Sequence, residues 1–125
     1  YKFCAADEKE TIVYGAAKPG YLNEEVDKWV QFMQEQDMQR VCCLLADAQL
    51  TRYPENLLEI YHQKFGANKV CWAPIEDFHL ASEETLTQII LPFLNEAFRE
   101  SEKVVVHCGG GIGRTGHVLA AWLVH

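Results

Sequence analysis

The stretch Val104-Val105-Val106-His107-Cys108-Gly109-Gly110-Gly111-Ile112-Gly113-Arg114-Thr115-Gly116 decides how the rest of the sequence is read. Three consecutive β-branched residues predict a strand buried on both faces. Four glycines among the five residues after Cys108 predict a tight turn, because glycine accepts the positive φ angles such a turn needs. Val118, Leu119, Trp122 and Leu123 then recur at helical spacing. A strand, a glycine-rich turn and a helix in that order form a concave anion site. Backbone N–H groups of the turn point inward, and the helix N-terminus adds its positive end. Arg114 lies six residues after Cys108, so its planar fork can fold back over the turn and hold two oxygens of a phosphate. A thiol at the base of that bowl is expected to ionise, since pKa values there fall to ~3.5–7.5 against ~8.5 for an unperturbed thiol.

Two other motifs overlap the same residues and fit less well. Gly111-x-Gly113-x-x-Gly116 matches a dinucleotide fingerprint, but that motif needs an acidic residue about 20 positions on to hold a ribose. Only nine residues remain after Gly116. A triphosphate-binding loop would require Gly where Cys108 stands and Lys where Arg114 stands. The Asp that would help it hold a cation should follow the loop, whereas Asp47 precedes it.

Outward from this unit the sequence alternates strands and helices. Val41–Ala46 is a continuous apolar run and predicts a covered strand; Val70-Cys71-Trp72 and Ile12-Val13-Tyr14, ending at Gly15, predict two shorter ones. Asn23 is expected to cap a helix whose apolar face is Val26, Trp29, Val30 and Met33. A second helix is expected from about Pro54, with Leu57, Leu58, Tyr61 and Phe65 on one side and Gly66 as its stop. Ser82 is the expected N-cap of a third, with Glu83 and Glu84 near its positive end. That helix carries Leu86, Ile89, Ile90, Phe93, Leu94 and Ala97 on one face, and Pro92 should bend it. The last helix is apolar nearly all round, which predicts a path through the core. Tyr1–Ala5 is expected to pair antiparallel with Ile12–Tyr14 across the polar turn Asp7–Glu10. The order predicts an α/β fold: a largely parallel central sheet, helices on both faces, and the phosphate-binding loop between the last strand and the following helix.

The chain has 125 residues, 49% of them hydrophobic, which suits a single domain over residues 1–125. Its net charge of −7 argues against a nucleic-acid partner, which selects for a basic face. The longest apolar runs, Val41–Ala46 and Val118–Val124, are far short of the ~18–20 residues that cross a bilayer, so no membrane partner is expected. The first residue is Tyr1 rather than Met and no charged-then-apolar leader opens the sequence, so the natural start is expected upstream and nothing argues for secretion. The cysteines Cys4, Cys42, Cys43, Cys71 and Cys108 are odd in number and lack a framework spacing, which fits a reduced, cytoplasmic chain. There is no CxxC pair, and Cys42 and Cys43 would face opposite sides of a strand, so no metal or other cofactor is expected.

His107-Cys108-x5-Arg114-Thr115 resembles the signature of the cysteine-dependent protein tyrosine phosphatases. Chain size and surrounding sequence, from about Ile12 to the end, are similar to the dual-specificity branch. The resemblance implies Cys108 as the nucleophile of a phosphocysteine intermediate, and Gly109, Gly110, Gly111, Ile112, Gly113 and Arg114 as the loop that binds the substrate phosphate. It implies Thr115 as the hydroxyl that helps the sulfur leave, and His107 as the residue that orders the loop and lowers the thiol pKa. It also implies a general acid on a loop about 30 residues upstream. Asp77 lies 31 residues before Cys108, with Glu76 and His79 as alternatives. Many relatives carry Pro soon after this acid, where Ala81 stands here. Lys18 resembles a residue bordering the mouth of the site. Some relatives shield the nucleophile with a disulfide, which makes Cys42, Cys43 and Cys71 candidates, although each also reads as a small hydrophobe in a strand. Relatives extend beyond the last helix, so the chain is expected to be truncated or unusually short.

The implied function is hydrolysis of phosphate monoesters, chiefly phosphotyrosine with phosphoserine and phosphothreonine in proteins. The expected partner is thus a phosphorylated protein or a small phosphate ester. The loop has no Lys, which disfavours the inositol-lipid substrates of some relatives. A phosphoinositide or small-molecule phosphatase, a catalytically silent phosphoprotein-binding module and a sulfurtransferase stand as alternatives.

Overall fold

In a computed structural model the described residues are 1–76, 79–110 and 113–124. Five strands form one sheet in the order β1-β2-β5-β3-β4. They are β1 (Cys4–Ala5), β2 (Val13–Ala17), β3 (Met38–Cys43), β4 (Val70–Trp72) and β5 (Lys103–Cys108). All pairings are parallel except β1 with β2, where Cys4 faces Gly15 and Ala5 faces Tyr14. The terminal hairpin and the mainly parallel sheet thus agree with the sequence reading.

The crossovers place helices on both faces. α1 (Asn23–Glu35) and α3 (Leu57–Phe65) bury Val26, Trp29, Val30, Met33, Leu57 and Tyr61 against one face, together with Val41, Cys43 and Val105. α5 (Leu91–Glu100) and α6 (Gly113–Leu123) cover the other, where Leu91, Leu94, Ala97 and Val118 meet Cys42, Leu44, Val104 and Val106. Cys42 and Cys43 therefore point to opposite faces, as strand alternation requires. The chain runs from β2 over β5 to β3 by α1 on one face and returns to β5 by α5 on the other. That reversal opens a crevice at the carboxyl ends of β2, β5 and β3, where open α/β sheets bind ligands.

Several local readings need correction. The N-cap of α1 is Leu22, not Asn23; the Glu25 carboxylate accepts the Leu22 N–H at 3.2 Å and serves where a capping side chain would. β2 continues through Gly15 to Ala17, since the missing side chain of Gly15 makes room for Leu119 and Thr115 of α6. β3 ends at Cys43; Leu44–Ala46 stay buried but lead into a short helix, α2 (Asp47–Leu50), that the apolar run conceals. The second predicted helix starts at Leu57, capped by the Asn56 side chain, and ends at Gly66 with φ +106°.

Ser82 caps as expected, accepting the Thr85 N–H at 3.1 Å. The helix beyond it begins as α4 (Glu83–Thr85), widens into a π turn at Leu86–Ile90 and resumes as α5. Pro92 has no N–H and its ring crowds the carbonyl four residues back, so the irregularity sits just before it. α6 does not run through the core. Arg114, Thr115 and Val118 are buried, while Leu123 and Val124 are exposed, so only one face packs on the sheet. No helix among the described residues is long and apolar enough to cross a membrane.

Candidate functional site

Cys108 is the last residue of β5, the strand flanked by β2 and β3, and is 2% exposed at the crevice. The loop from Gly109 leads directly into α6, whose second and third residues are Arg114 and Thr115. Gly111 and Ile112 lie outside the described residues, as does Asp77. Of the acid candidates, Glu76 and His79 are exposed, and the His79 N–H bonds the Glu76 carbonyl at 3.1 Å.

Arg114 folds back as the spacing predicts. Its Nη2 lies 3.0 Å from the point a Cβ on Gly109 would occupy. Its Nη1 donates to the Gln49 Oε1 at 2.9 Å and to the Ile75 carbonyl at 2.7 Å. Arg114 as a whole is 4% exposed. Ile75 continues the β4 edge outward, its N–H bonding the Leu44 carbonyl at 3.1 Å. Arg114 thus ties the glycine loop to α2 and to the stem of the segment that carries Asp77.

His107 is fully buried in β5. Trp29 and Tyr61 meet its ring edge-on at 5.2 and 5.7 Å between centroids. The Tyr61 hydroxyl and His107 Nε2 are 2.9 Å apart. Burial pushes the His107 pKa down to about 3, opposed by the nearby Cys108 backbone, so the ring is neutral in the fold. Burial also holds the Tyr61 phenol well above its usual range, leaving it a donor. Nδ1 turns toward the Cys108 backbone without closing a well-formed hydrogen bond. A proton on Nδ1 and acceptance from Tyr61 at Nε2 is the arrangement these neighbours favour.

Thr115 is 1% exposed, and its Oγ1 has no hydrogen-bond partner among the described residues. Its methyl packs on Gly15 instead. Lys18 borders the loop as expected: its backbone N–H donates to the Cys108 carbonyl at 3.0 Å, while its ammonium lies 3.8 Å above the Tyr21 ring. Cys42 and Cys71 are register partners across β3 and β4. The hydrogen bond to Cys71, then burial, raises the Cys42 pKa, and burial pushes Cys43 up to about 12, so both remain thiols. Among the described residues no three His, Cys, Asp or Glu side chains gather where they could hold a metal.

Gln49, Tyr61 and the Ile75 carbonyl were missed as site residues by the sequence reading. Tyr61 was placed on an apolar face, where its hydroxyl already implied a buried partner. Nothing in the sequence marks Gln49 or a backbone carbonyl.

An α/β sheet with a buried cysteine at the end of its central strand, beneath an arginine folded over a glycine loop, is the layout of a phosphate-handling enzyme. A family model described as a DSP-PTPase phosphatase of polymorphic toxin systems matches residues 14–125. The chain belongs to that family. Among solved structures, Tk-PTP in its active form superposes with a TM-score of 0.74 at 32% identity, covering 92% of this chain and 69% of that one. A glycine-to-alanine mutant form of Tk-PTP gives the same score and identity over 96% of this chain and 71% of that one. Kinase-associated phosphatase with its catalytic-site cysteine replaced by serine has a TM-score of 0.77 at 24% identity, over 90% of this chain and 64% of that one, and shares the fold. Two uncharacterized proteins of Methanocaldococcus jannaschii, MJ0215 and MJECL20, are 41% identical over 51 residues, 41% of this chain. The matched stretch spans about a third of those curated relatives, 31% and 34% of their lengths.

Proposed function

We propose that the chain hydrolyses phosphate monoesters in proteins, phosphotyrosine first and phosphoserine or phosphothreonine with it, through a phosphocysteine intermediate. The observation that carries this is the Arg114 guanidinium folded over Gly109 beside Cys108. The family membership and the likeness to Tk-PTP support it.

In this reading the Cys108 thiolate attacks phosphorus, and the bond from phosphorus to the ester oxygen breaks. Asp77 gives that oxygen a proton, without which an alkoxide or phenolate leaves poorly. The loop amides and Arg114 hold the three phosphoryl oxygens as charge spreads onto them. Water then attacks the phosphocysteine and gives its proton to Asp77, while Thr115 donates its hydroxyl hydrogen to the departing sulfur. A buried hydroxyl with no hydrogen-bond partner among the described residues suits that task. His107 stays neutral and orders the loop from below. No step calls for a metal ion, and the cysteine chemistry suits a reducing compartment such as the cytoplasm.

The test is Cys108→Ser. Aryl-phosphate turnover should disappear while vanadate or phosphate still binds, because the loop and Arg114 remain. Turnover near the wild-type level would refute the assignment. A wild-type protein that binds phosphopeptides but turns over no phosphate ester would instead be a binding module. A panel of phosphopeptides against phosphoinositides sets the substrate class.

A further inference from the structure

We propose that Gln49 is a positioning residue for this reaction: through an uncharged contact it fixes the Arg114 guanidinium over the glycine loop. The inference rests on the roles given above to Cys108 and Arg114.

The geometry decides which way the carboxamide faces. Gln49 Oε1 lies 2.9 Å from Arg114 Nη1 and 3.4 Å from the Ala46 backbone nitrogen. Both neighbours are donors, so only the oxygen end of the amide fits there. Nε2 is then turned the other way, and it lies 3.2 Å from where a Cβ on Gly109 would be. Arg114 Nη2 lies 3.0 Å from that same point. Carboxamide and guanidinium therefore sit side by side over the first residue of the loop.

Arginine has five N–H donors. The two on Nη1 go to Gln49 and to the Ile75 carbonyl. Nη2 lies on the loop side, by Gly109. Both Nη1 anchors are uncharged. A carboxylate at position 49 would hold the arginine at least as firmly, but would cancel the charge that favours a thiolate and a bound phosphate. Gln49 separates orientation from neutralisation. Its placement also needs α2, the short helix that sets the side chain over the crevice rather than along β3.

The experiment compares Gln49→Met, Gln49→Glu and Arg114→Lys with the wild-type protein. Aryl-phosphate kcat/KM is followed across pH, with vanadate inhibition and a thermal unfolding midpoint for each. Gln49→Met keeps the volume and loses the hydrogen bond to a charged group, so kcat/KM and vanadate affinity should each fall about tenfold, with the acidic limb unmoved. Gln49→Glu should move the acidic limb up by about one pH unit, because a carboxylate beside Arg114 disfavours the thiolate. A packing role would leave vanadate affinity unchanged in Gln49→Met. In an Arg114→Lys background, Gln49→Met should change nothing further. Wild-type kcat/KM and an unmoved limb in both Gln49 variants, with Arg114→Lys inactive, would overturn the inference and leave the site reading intact. Wild-type activity in Arg114→Lys would overturn the site reading itself. If Gln49→Met does not fold, the limb of the isosteric Gln49→Glu decides alone.

Discussion

Replacing Tyr61 by Phe removes one oxygen and leaves His107 Nε2 buried without its 2.9 Å partner. The phenyl ring still packs on Trp29 and Phe65, so the change isolates the hydroxyl. An unsatisfied buried acceptor costs about 1–3 kcal/mol. Urea unfolding at pH 7 should report a loss in that range with an unchanged m-value. A double-mutant cycle with His107→Ala separates the pair from packing. In that background the Tyr61 hydroxyl is itself orphaned, so removing it should cost nothing or be favourable. The same ring predicts a pH dependence. Its folded pKa, about 3, lies below the ordinary value of 6.5 expected when unfolded. Between those values the unfolded chain binds a proton that the fold excludes, so stability is full above pH 6.5 and falls as pH drops toward 3. From pH 7 to 5 this one group should cost about 2 kcal/mol. A Tyr61→Phe loss under about 0.5 kcal/mol, with stability flat from pH 7 to 5, would refute the picture of a neutral ring held by that hydroxyl.

The remaining predictions use other parts of the fold. Asp77→Asn should remove the alkaline limb of kcat/KM and slow alkyl-type phosphates by roughly 10²–10⁴-fold, less for esters with acidic leaving groups; an equal defect in Glu76→Gln with a mild one in Asp77→Asn would move the acid to Glu76. Gly15→Ala places a methyl 2.8 Å from Leu119 Cδ1 and 2.9 Å from Thr115 Cγ2, and should cost about 1–3 kcal/mol in urea unfolding. Glu102→Ala removes the 2.7 Å partner of the buried Arg40 and should cost about 3 kcal/mol, the low end for a broken buried pair, since Glu96 stays 3.5 Å away. Hydrogen bonding to Lys69 holds the Glu102 pKa below its usual value, so this contribution is present at neutral pH and is lost on acidification.

Much of the fold is legible because it rests on periodicity. Val26, Trp29, Val30 and Met33 sit on one helical face in the sequence and are all buried in α1. Ser82 and Gly66 mark helix ends by side-chain chemistry that acts within three residues. The misread boundaries are local, as at Leu22 and Asn56, whereas the missed site contacts come from residues distant in sequence. α2 follows directly on the run Val41–Ala46, which reads as strand to its end although the sheet is left after Cys43. The last helix reads as buried all round because exposed Leu123 at its end, and Val124 just after it, are also apolar. At the proposed site, Cys108 and Arg114 are legible because a fixed spacing joins the proposed nucleophile to its proposed clamp. Gln49 and Ile75 meet that clamp from 65 and 39 residues away, through an amide and a carbonyl that no local pattern distinguishes.

These anchors bear on how a chain of net charge −7 presents a site for an anion. Two groups that hold Arg114, the Gln49 carboxamide and the Ile75 carbonyl, are uncharged, as are the His107 ring and the Tyr61 hydroxyl behind Cys108. The ion pairs among the described residues instead join Arg40 and Lys69 to Glu96 and Glu102. Glu102 immediately precedes β5, whereas Cys108 ends it. Six residues of strand separate the two ends by about 20 Å, more than two Debye lengths at physiological ionic strength. The acidic cluster therefore lies at the far end of β5 from Cys108. At an effective dielectric near 20, one carboxylate 4 Å from that guanidinium would offset roughly 4 kcal/mol of its attraction for a phosphate. An amide at position 49 holds the guanidinium without adding that offset.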